Sequence, residues 1–350
     1  MDKFKNTRNR VRSGFGKVFV KKRTWISVAM TLGLTCAVLF GCKKNVGTPE
    51  DNAIVEDDGE ERPEREGYLF AYCCVNSEDP YFQAVEKSIR VSLQKEDAEL
   101  LVMDAKGDVA LQSRQIQELI DERVDAVFLT PVDGGDATEM LEALEAAQIP
   151  VVNLDIRVKE AGLVDAYVGS DNRNAGYACG EDLIVKCPDG GKILIMENPA
   201  ISSLNERITG FERSIANKGF EVLARAQVSG DREAAKSQMK EFLEKYPQID
   251  AVMCASDQIA LGVLDAVKKS EREDFRIYSV GGSPQIKAEI AKEDSVMCGT
   301  GAQSPIKVGE AAVEACMAVL KGEEHQSEVL AETVFINREN VELYGTNGWQ

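Results

Sequence analysis

Polar side chains follow several apolar stretches of the sequence, at the points where predicted strands end. Asp155 closes the run VVNL, Asp79 comes shortly after YLFAYCCV, and Ser256 follows AVMCA. Carboxylates accept hydrogen bonds and hydroxyls both donate and accept them, so such side chains suit a small ligand that carries several polar groups. An acid that closes an apolar strand costs stability unless something uses it, which makes Asp155 the strongest candidate for a ligand contact.

Some of these polar residues have a purely structural interpretation as helix N-caps. Asp79, Ser283 and Ser304 are each followed directly by proline, a residue typical of the first helical position. For Ser283 we prefer the cap to a ligand contact. Asp257, which follows the run AVMCAS, is likewise predicted to be the N-cap of the next helix.

The sequence shows no arrangement of residues that is typical of a catalytic or metal site. His325 is the only histidine and lies in the polar run GEEHQSE, which argues against zinc and against a Ser–His or Cys–His hydrolase. None of the nine cysteines has metal-binding spacing, and Cys73, Cys74 and Cys254 lie in apolar runs where a thiol is a small buried hydrophobe. We therefore predict a binding protein without metal or cofactor, not an enzyme.

Short β-rich runs alternate with amphipathic helical patterns from residue 67 onward. Ten such runs end near Val75, Met103, Leu129, Leu154, Val168, Met196, Ala226, Cys254, Val280 and Gly299. The alternation predicts an α/β protein with parallel sheets, and ten strands favour two lobes of about five. Ligands of such sheets bind beyond the carboxyl ends of the strands, where the polar side chains described above are found.

The first 66 residues have a different character. Residues 1–23 carry nine Lys and Arg against one Asp, and residues 24–41 are uncharged. This is the pattern of a secretory signal, and the run LFGC at residues 39–42 resembles a bacterial lipoprotein signal in which Cys42 becomes the lipidated first residue. We predict a signal peptide over residues 1–41 and an acidic tether over residues 42–66. The alternative is an uncleaved anchor helix. Either arrangement places the remainder outside the cytoplasmic membrane.

Removal of the basic signal makes the remainder strongly acidic. The whole chain carries −18 and residues 1–41 carry +8, so residues 42–350 carry −26. A charge of this sign and size argues against binding to nucleic acid and against docking on anionic lipid.

Several motifs together resemble the ribose-binding-protein type of bacterial ABC-transporter solute receptors, which is also the effector domain of lactose-repressor-type regulators. They are EDPYF, VVNLD, YVGSDNRNAG, NERITGF, SDQIALG, VGG and GAQSP, in this order over nearly all of residues 67–345. The resemblance implies two Rossmann-like lobes that close on a ligand, joined by three crossings near Ser170, Gln303 and Glu332. The implied lobes are residues 67–170 with 304–332, and residues 171–303 with 333–350.

The resemblance also implies roles for individual residues. Asp79 stands where the family has Asn or Asp, and Tyr81 and Phe82 stand where a pair of Phe residues packs against the sugar. Asp155 matches a carboxylate that accepts hydroxyl hydrogen bonds, and Arg207 matches a guanidinium that reaches the ligand from the other lobe. Tyr81 and Phe82 have an alternative interpretation as core residues. Arg207, in the first turn of a predicted helix, has an alternative interpretation as a solvated residue.

The remaining positions match the pattern of the family less closely. Gln303 matches a Gln at the hinge, Ser256 stands where Asn is usual, and Ser283 follows VGG where Asp often follows VGF. Ile156 intervenes before Arg157, so this guanidinium is expected to face away from the site. Gly230 stands where the family has an aromatic residue. These departures argue against a pentose held in the way that the family holds ribose, and they make a larger or less polar ligand possible. The loop CPDGGKI is too short to hold the calcium that some galactose-binding relatives bind.

The functional prediction is an extracytoplasmic solute-binding lipoprotein, lipid-anchored and monomeric, that delivers a small polar ligand, a monosaccharide or related compound, to an ABC permease. The alternative is a receptor module that signals to a membrane kinase or chemoreceptor. A transcriptional regulator is excluded because it needs a DNA-binding N-terminus and a cytoplasmic location.

Overall fold

The computed structural model describes residues 66–228, 231–270 and 272–350. The predicted signal peptide, most of the predicted tether and the predicted lipidation site at Cys42 lie outside these residues, as does Gly230. No helix within the described part of the chain combines the length and the apolar character that a bilayer crossing requires.

Strands and helices alternate along the described residues. The strands are β1 (Tyr68–Cys74), β2 (Ala98–Asp104), β3 (Ala126–Leu129), β4 (Val151–Leu154), β5 (Ala166–Ser170), β6 (Gly191–Glu197), β7 (Phe220–Gln227), β8 (Ala251–Cys254), β9 (Arg276–Gly281), β10 (Met297–Ala302), β11 (Glu328–Ala331) and β12 (Val334–Asn337). The helices are α1 (Pro80–Leu93), α2 (Val109–Asp121), α3 (Thr138–Ala146), α4 (Asn172–Lys186), α5 (Ser202–Ile215), α6 (Arg232–Lys245), α7 (Asp257–Ser270), α8 (Pro284–Ile290), α9 (Pro305–Lys321) and α10 (Val341–Tyr344), with a short 3-10 turn at Ala161–Leu163.

The strands form two six-stranded sheets, which confirms the prediction of two α/β lobes. The order in the first sheet is β11-β5-β4-β3-β1-β2, and the order in the second is β12-β10-β9-β8-β6-β7. We call each sheet with its covering helices the first lobe and the second lobe. The chain passes between the sheets after β5, after β10 and after β11.

The expected count of ten strands is too low, because β11 and β12 were missed. Both are four residues long and lie at sheet edges, where their side chains are only partly buried. Each strand has only one buried residue, Ala331 in β11 and Ile336 in β12, so neither shows a period that distinguishes a strand from a loop. β12 also pairs antiparallel with β10, so the second sheet is mixed rather than purely parallel.

Both faces of the first sheet are buried, and β1 shows how the sequence achieves this. Phe70 and Tyr72 belong to the hydrophobic cluster on one face, while Leu69 and Ala71 belong to the cluster on the other. Side chains along a strand alternate between the faces, so a strand covered by helices on both sides must be apolar throughout. The YLFAYCC run of β1 satisfies this requirement.

The cysteines of β1 behave as the sequence predicts. Cys73 and Cys74 are buried on opposite faces of the sheet, and burial raises the pKa of the Cys73 thiol to about 12 and that of Cys74 to about 11. All seven cysteines within the described residues are free thiols, and five of them are buried. Thiols that stay protonated and out of solvent are poor nucleophiles, so they act as core residues.

Helices α4 and α5 of the second lobe pack unusually closely through glycines. A Cβ atom on Gly176 of α4 would overlap the carbonyl oxygen of Arg207 in α5, and one on Gly210 of α5 would overlap the carbonyl oxygen of Arg173. The two backbones are therefore in direct contact. This contact fixes the position of α5, the helix that carries Arg207.

We expect Gly176→Ala to lower the free energy of unfolding by about 1–3 kcal/mol, because the added methyl group forces the two helices apart. Urea denaturation measures the change. Gly162→Ala is the matched control, since a Cβ at Gly162 meets nothing within 4 Å. Equal stability of the two variants would show that the α4–α5 contact tolerates expansion.

Candidate functional site

A cavity of about 420 Å³ lies between the two lobes, at the carboxyl ends of their strands. We call it the cleft. Its volume lies in the range of small-molecule sites. The structure brings all eight residues of the predicted ligand site to its wall, namely Asp79, Tyr81, Phe82, Asp155, Arg207, Ser256, Ser283 and Gln303. That they contact a ligand stays a prediction.

Asp155 and Tyr81 are the two residues of the group that have a buried side-chain oxygen without a hydrogen-bond partner within the described residues. Asp155 follows β4 directly with a φ of 55°, a left-handed conformation that costs a non-glycine residue free energy. The residue is only 4% exposed, and Oδ2 accepts a hydrogen bond from Ser203 Oγ at 3.1 Å. Oδ1 is buried and has no hydrogen-bond partner within the described residues. A buried carboxylate oxygen needs a donor, and a ligand hydroxyl in the cleft can supply one.

Arg207 is buried rather than solvated, with 5% of its surface exposed, so the solvated interpretation is wrong. It is the sixth residue of α5 and therefore lies in the second turn, not in the first. The guanidinium donates to Asn172 Oδ1 at 2.8 Å, to the Ala255 carbonyl oxygen at 3.0 Å and to Gln303 Oε1 at 2.9 Å. All three acceptors are neutral, so none of these hydrogen bonds pairs the positive charge of the guanidinium with an acid.

Gln303 lies at the second crossing between the lobes. Its Oε1 accepts from Arg207 of the second lobe, and its Nε2 donates to Ser170 Oγ at 3.1 Å, at the end of β5 in the first lobe. The residue is 2% exposed. Its amide therefore joins the two lobes at the back of the cleft.

Asp79 combines the two roles that the sequence leaves open. It is the N-cap of α1, where Oδ1 accepts from the Tyr81 N–H at 2.8 Å and Pro80 takes the first helical position. The same carboxyl lines the cleft. Burial and the nearby charge of Asp155 raise the pKa of Asp79 above its usual 3.8. The ionised form is thus less favourable here than in water.

Aromatic rings form the apolar wall of the cleft. Tyr81 and Phe82 both line it, with ring centroids 5.4 Å apart and planes at 76°. Trp349 lines it as well and meets Tyr81 at 5.9 Å and 75°. Edge-to-face contacts of this kind are favourable and leave ring faces available for the C–H groups of a ligand. Trp349 has no signal in the sequence, because it lies in the polar run YGTNGWQ, which shows no period.

The prediction that Asp257 is an N-cap is wrong. Helix α7 begins at Asp257 itself, and Ser256 Oγ accepts the N–H of Ile259 at 3.3 Å in the capping position. The Asp257 carboxylate, 5% exposed, accepts from Ser279 Oγ at 2.6 Å and from the Ser283 N–H at 2.6 Å. It also accepts from Thr300 Oγ1 at 3.2 Å, so the acid links the start of α7 to β9 and β10.

Ser283 takes the structural role that we preferred for it. It is the N-cap of α8, and its Oγ accepts the N–H of Ile286 at 3.4 Å.

Arg157 is absent from the cleft wall, as expected. Its guanidinium stacks over the ring of Tyr167 at 3.7 Å and pairs with Glu328. Within the described residues, no three His, Cys, Asp or Glu side chains are arranged to hold a metal ion.

We expect Asp79→Asn to raise the free energy of unfolding at pH 7, because Asn caps a helix as well as Asp and has no charge to bury. The raised pKa of Asp79 means that the folded state holds its proton above pH 3.8, where the unfolded state releases it. Wild-type stability is therefore lost as the pH rises through this window, and the advantage of Asp79→Asn grows from pH 4 to pH 7.

Denaturation at the two pH values measures this difference. Asp108→Asn is the comparison variant, since it makes the same exchange at the exposed N-cap of α2. Identical pH profiles for the two variants would contradict the assigned burial of the Asp79 carboxyl.

The chain matches the family described as "Periplasmic binding protein domain" over residues 70–324. The ribose import binding protein of Bacillus subtilis is 30% identical over 254 residues, which cover 72% of this chain and 82% of that protein. The xylitol-binding protein of Mycolicibacterium smegmatis is 25% identical over 248 residues, which cover 70% of each chain. The relatives are binding proteins, which confirms the prediction of a binding protein rather than an enzyme.

Solved structures agree with this assignment at the level of the fold. The periplasmic binding protein of the arabinose transporter from Shewanella has a TM-score of 0.74 at 24% identity, covering 79% of this chain and 93% of that chain. A solute-binding protein from Bacillus halodurans with bound myo-inositol has a TM-score of 0.74 at 22% identity, covering 79% and 97%. By family match, relatives and fold alike, this chain belongs to the periplasmic binding proteins.

Proposed function

We propose that this protein captures a sugar or a related polyol in its cleft, outside the cytoplasmic membrane, and delivers it to an ABC permease. The observation that carries the proposal is that Oδ1 of Asp155 is buried without a hydrogen-bond partner among the described residues, in a cleft that aromatic rings also line. Sugars and polyols carry hydroxyl groups that donate to a carboxylate and C–H faces that pack on aromatic rings. The names of relatives that bind ribose, xylitol and arabinose support this ligand class.

Acceptors and donors in the cleft come from different lobes. Asp79 and Asp155 are acceptors on the first lobe, and Arg207 is a donor on the second. A guanidinium has five N–H donors, and the protein uses three of those of Arg207. A hydroxyl can donate to the carboxylates and accept from the guanidinium, so one ligand can engage both lobes.

Direct hydrogen bonds and an ion pair join the two lobes in this structure. Ser203 Oγ of the second lobe donates to Asp155 of the first, and Ser202 Oγ accepts the N–H of Arg157 at 2.8 Å. Arg157 also lies 3.7 Å from Glu206 of α5. These contacts require the lobes to be near each other. A ligand bound by both lobes adds to them, and it therefore shifts the population toward the closed arrangement.

The lobe boundaries, the monomeric state and the anchor are part of the same proposal. The lobes comprise residues 67–170 with 304–332 and residues 171–303 with 333–350, which move as two bodies about the three crossings. The protein acts as a monomer, tethered through residues 42–66 to a lipidated Cys42. One diacylated cysteine supplies most of the membrane affinity of such a protein.

The ligand proposal predicts that at least one of D-ribose, L-arabinose, D-allose, xylitol and myo-inositol raises the melting temperature of the full-length protein. With that ligand, Asp155→Asn should weaken binding about ten- to a hundredfold, because a hydrogen bond to a charged group contributes about 1.5–3 kcal/mol. Isothermal titration calorimetry measures the change.

Asp165→Asn is the matched control for this experiment. Asp165 accepts the Val151 N–H at 2.9 Å in the same lobe but does not line the cleft. The Asp165→Asn protein should bind the ligand with wild-type affinity. Undiminished binding by Asp155→Asn would remove Asp155 from the site.

The anchor is tested by Cys42→Ser, which we expect to move most of the protein from the membrane fraction to the soluble fraction. Cys36→Ser makes the same exchange within the apolar segment and should leave the protein in the membrane fraction. A cleaved Cys42→Ser protein that still sediments with membranes would refute lipidation at this residue.

A further inference from the structure

The segment that follows α10 forms one side of the cleft. We call residues 345–350 the tail segment. Its Trp349 lies in the cleft wall beside Tyr81 and packs against the hydrophobic cluster of the first lobe. The tail segment lies beyond residues 70–324, the part of the chain that matches the family.

Lys287 of the second lobe holds the tail segment. Its side chain is fully buried, and its ammonium group donates to the Gly348 carbonyl oxygen at 2.6 Å and to Gln350 Oε1 at 3.2 Å. No ion pair within the described residues involves Lys287. A buried ammonium group needs acceptors, and here the tail segment provides both of them. The tail segment thus supplies the acceptors that the buried ammonium group needs, and Lys287 in turn holds the tail segment in place.

Two further contacts fix the tail segment at the back of the cleft. The side-chain amide of Gln350 donates to the Gln303 carbonyl oxygen, at the second crossing. Gly282, at the end of β9, leaves space for this amide, since a Cβ there would lie 2.6 Å from Gln350 Nε2 and 2.5 Å from Ala302 Cβ. The φ of 83° at Gly282 independently favours glycine. The tail segment therefore fits a shaped recess rather than a flat surface.

These contacts connect the tail segment to both lobes. Lys287 belongs to α8 of the second lobe, and Tyr81 belongs to α1 of the first. Trp349 is held between them and lines the same cleft as Asp79 and Asp155. An aromatic ring in this position offers a flat apolar surface to whatever the carboxylates bind.

We propose that the tail segment is a wall of the ligand site and that Trp349 contacts the bound sugar or polyol directly. This inference rests on the proposed function. Trp349 selects ligands that present a patch of C–H groups, as one face of a sugar ring does, because such a patch packs on the indole. Lys287 is a positioning residue, which acts on the ligand only through Trp349.

Tryptophan fluorescence tests the contact, because the chain has only two tryptophans, Trp25 and Trp349. In full-length Trp25→Phe protein, Trp349 is the sole emitter. We expect the sugar or polyol identified among ribose, arabinose, allose, xylitol and myo-inositol to shift its emission and to reduce its quenching by acrylamide. Trp349→Ala should weaken binding of that ligand about tenfold, measured by calorimetry. Trp349→Phe, which keeps a ring, should lose less affinity.

Leu343→Ala is the matched control, since Leu343 precedes the tail segment and is 85% exposed. It should leave both affinity and emission unchanged. Lys287→Met in the Trp25→Phe background should increase acrylamide quenching of Trp349 without ligand, and it should also weaken ligand binding. Both are measured under conditions in which the variant is folded, where a loss of stability alone would change neither.

The outcomes separate this inference from the proposed function. If the protein binds a sugar with unchanged Trp349 emission and Trp349→Ala binds as tightly as wild type, the tail segment is not a wall of the site and the function stands. If the protein binds none of the five probes, the proposed ligand class fails, and the contact fails with it.

Discussion

The guanidinium of Arg207 lies buried where the two lobes meet, and its hydrogen bonds determine how the junction is built. Its acceptors are Asn172 just after the first crossing, Ala255 at the end of β8, and Gln303 at the second crossing. Leaving a buried cation without acceptors costs several kcal/mol, so both amide oxygens must point toward it. With its oxygen fixed in this way, Gln303 has its amide nitrogen free to donate to Ser170. One charge thus orients side chains at two of the three crossings.

The carboxylates of the cleft differ in how far the protein itself satisfies them. Asp257 accepts three hydrogen bonds or more from its own lobe and has little capacity left. Asp79 uses one oxygen as a helix cap, and Asp155 leaves one oxygen without a partner among the described residues. An anion would be repelled by these two acids of the first lobe, while a neutral ligand with several hydroxyls could donate to both.

The sequence predicted those parts of the site that are encoded locally. Asp155, Asp79 and Ser283 each follow an apolar strand, and the strand-end rule places such residues at one edge of a sheet whatever the rest of the chain does. Asp257 was misassigned because a cap and a buried acceptor have the same sequence pattern. The donors that distinguish them, such as the hydroxyl of Ser279, come from another strand.

Features that depend on distant contacts had no local signal. Lys287 donates to the carbonyl oxygen of Gly348, 61 positions further along the chain, and Trp349 packs against Tyr81. Nothing in YGTNGWQ or in the helical run PQIKAEI indicates these contacts. The fold could be predicted more fully from the sequence than the site could. Ten of the twelve strands in the described residues have an apolar run long enough to recognise. β11 and β12 could not be recognised, since only their pairing with β5 and β10 makes them strands.

The order of the strands also has a consequence for how the chain folds. The first sheet needs β11, and its cluster around Tyr72 needs Val308 and Ala312 of α9, both of which follow the whole second sheet except β12 along the chain. A ribosome must therefore finish nearly all of the protein before either lobe can complete its core. Pairing over such sequence distances is slow, because the entropy of closing long loops is lost before the contacts form. Both lobes therefore lack part of their core, and the stability that it provides, until residues 305–337 have been synthesised.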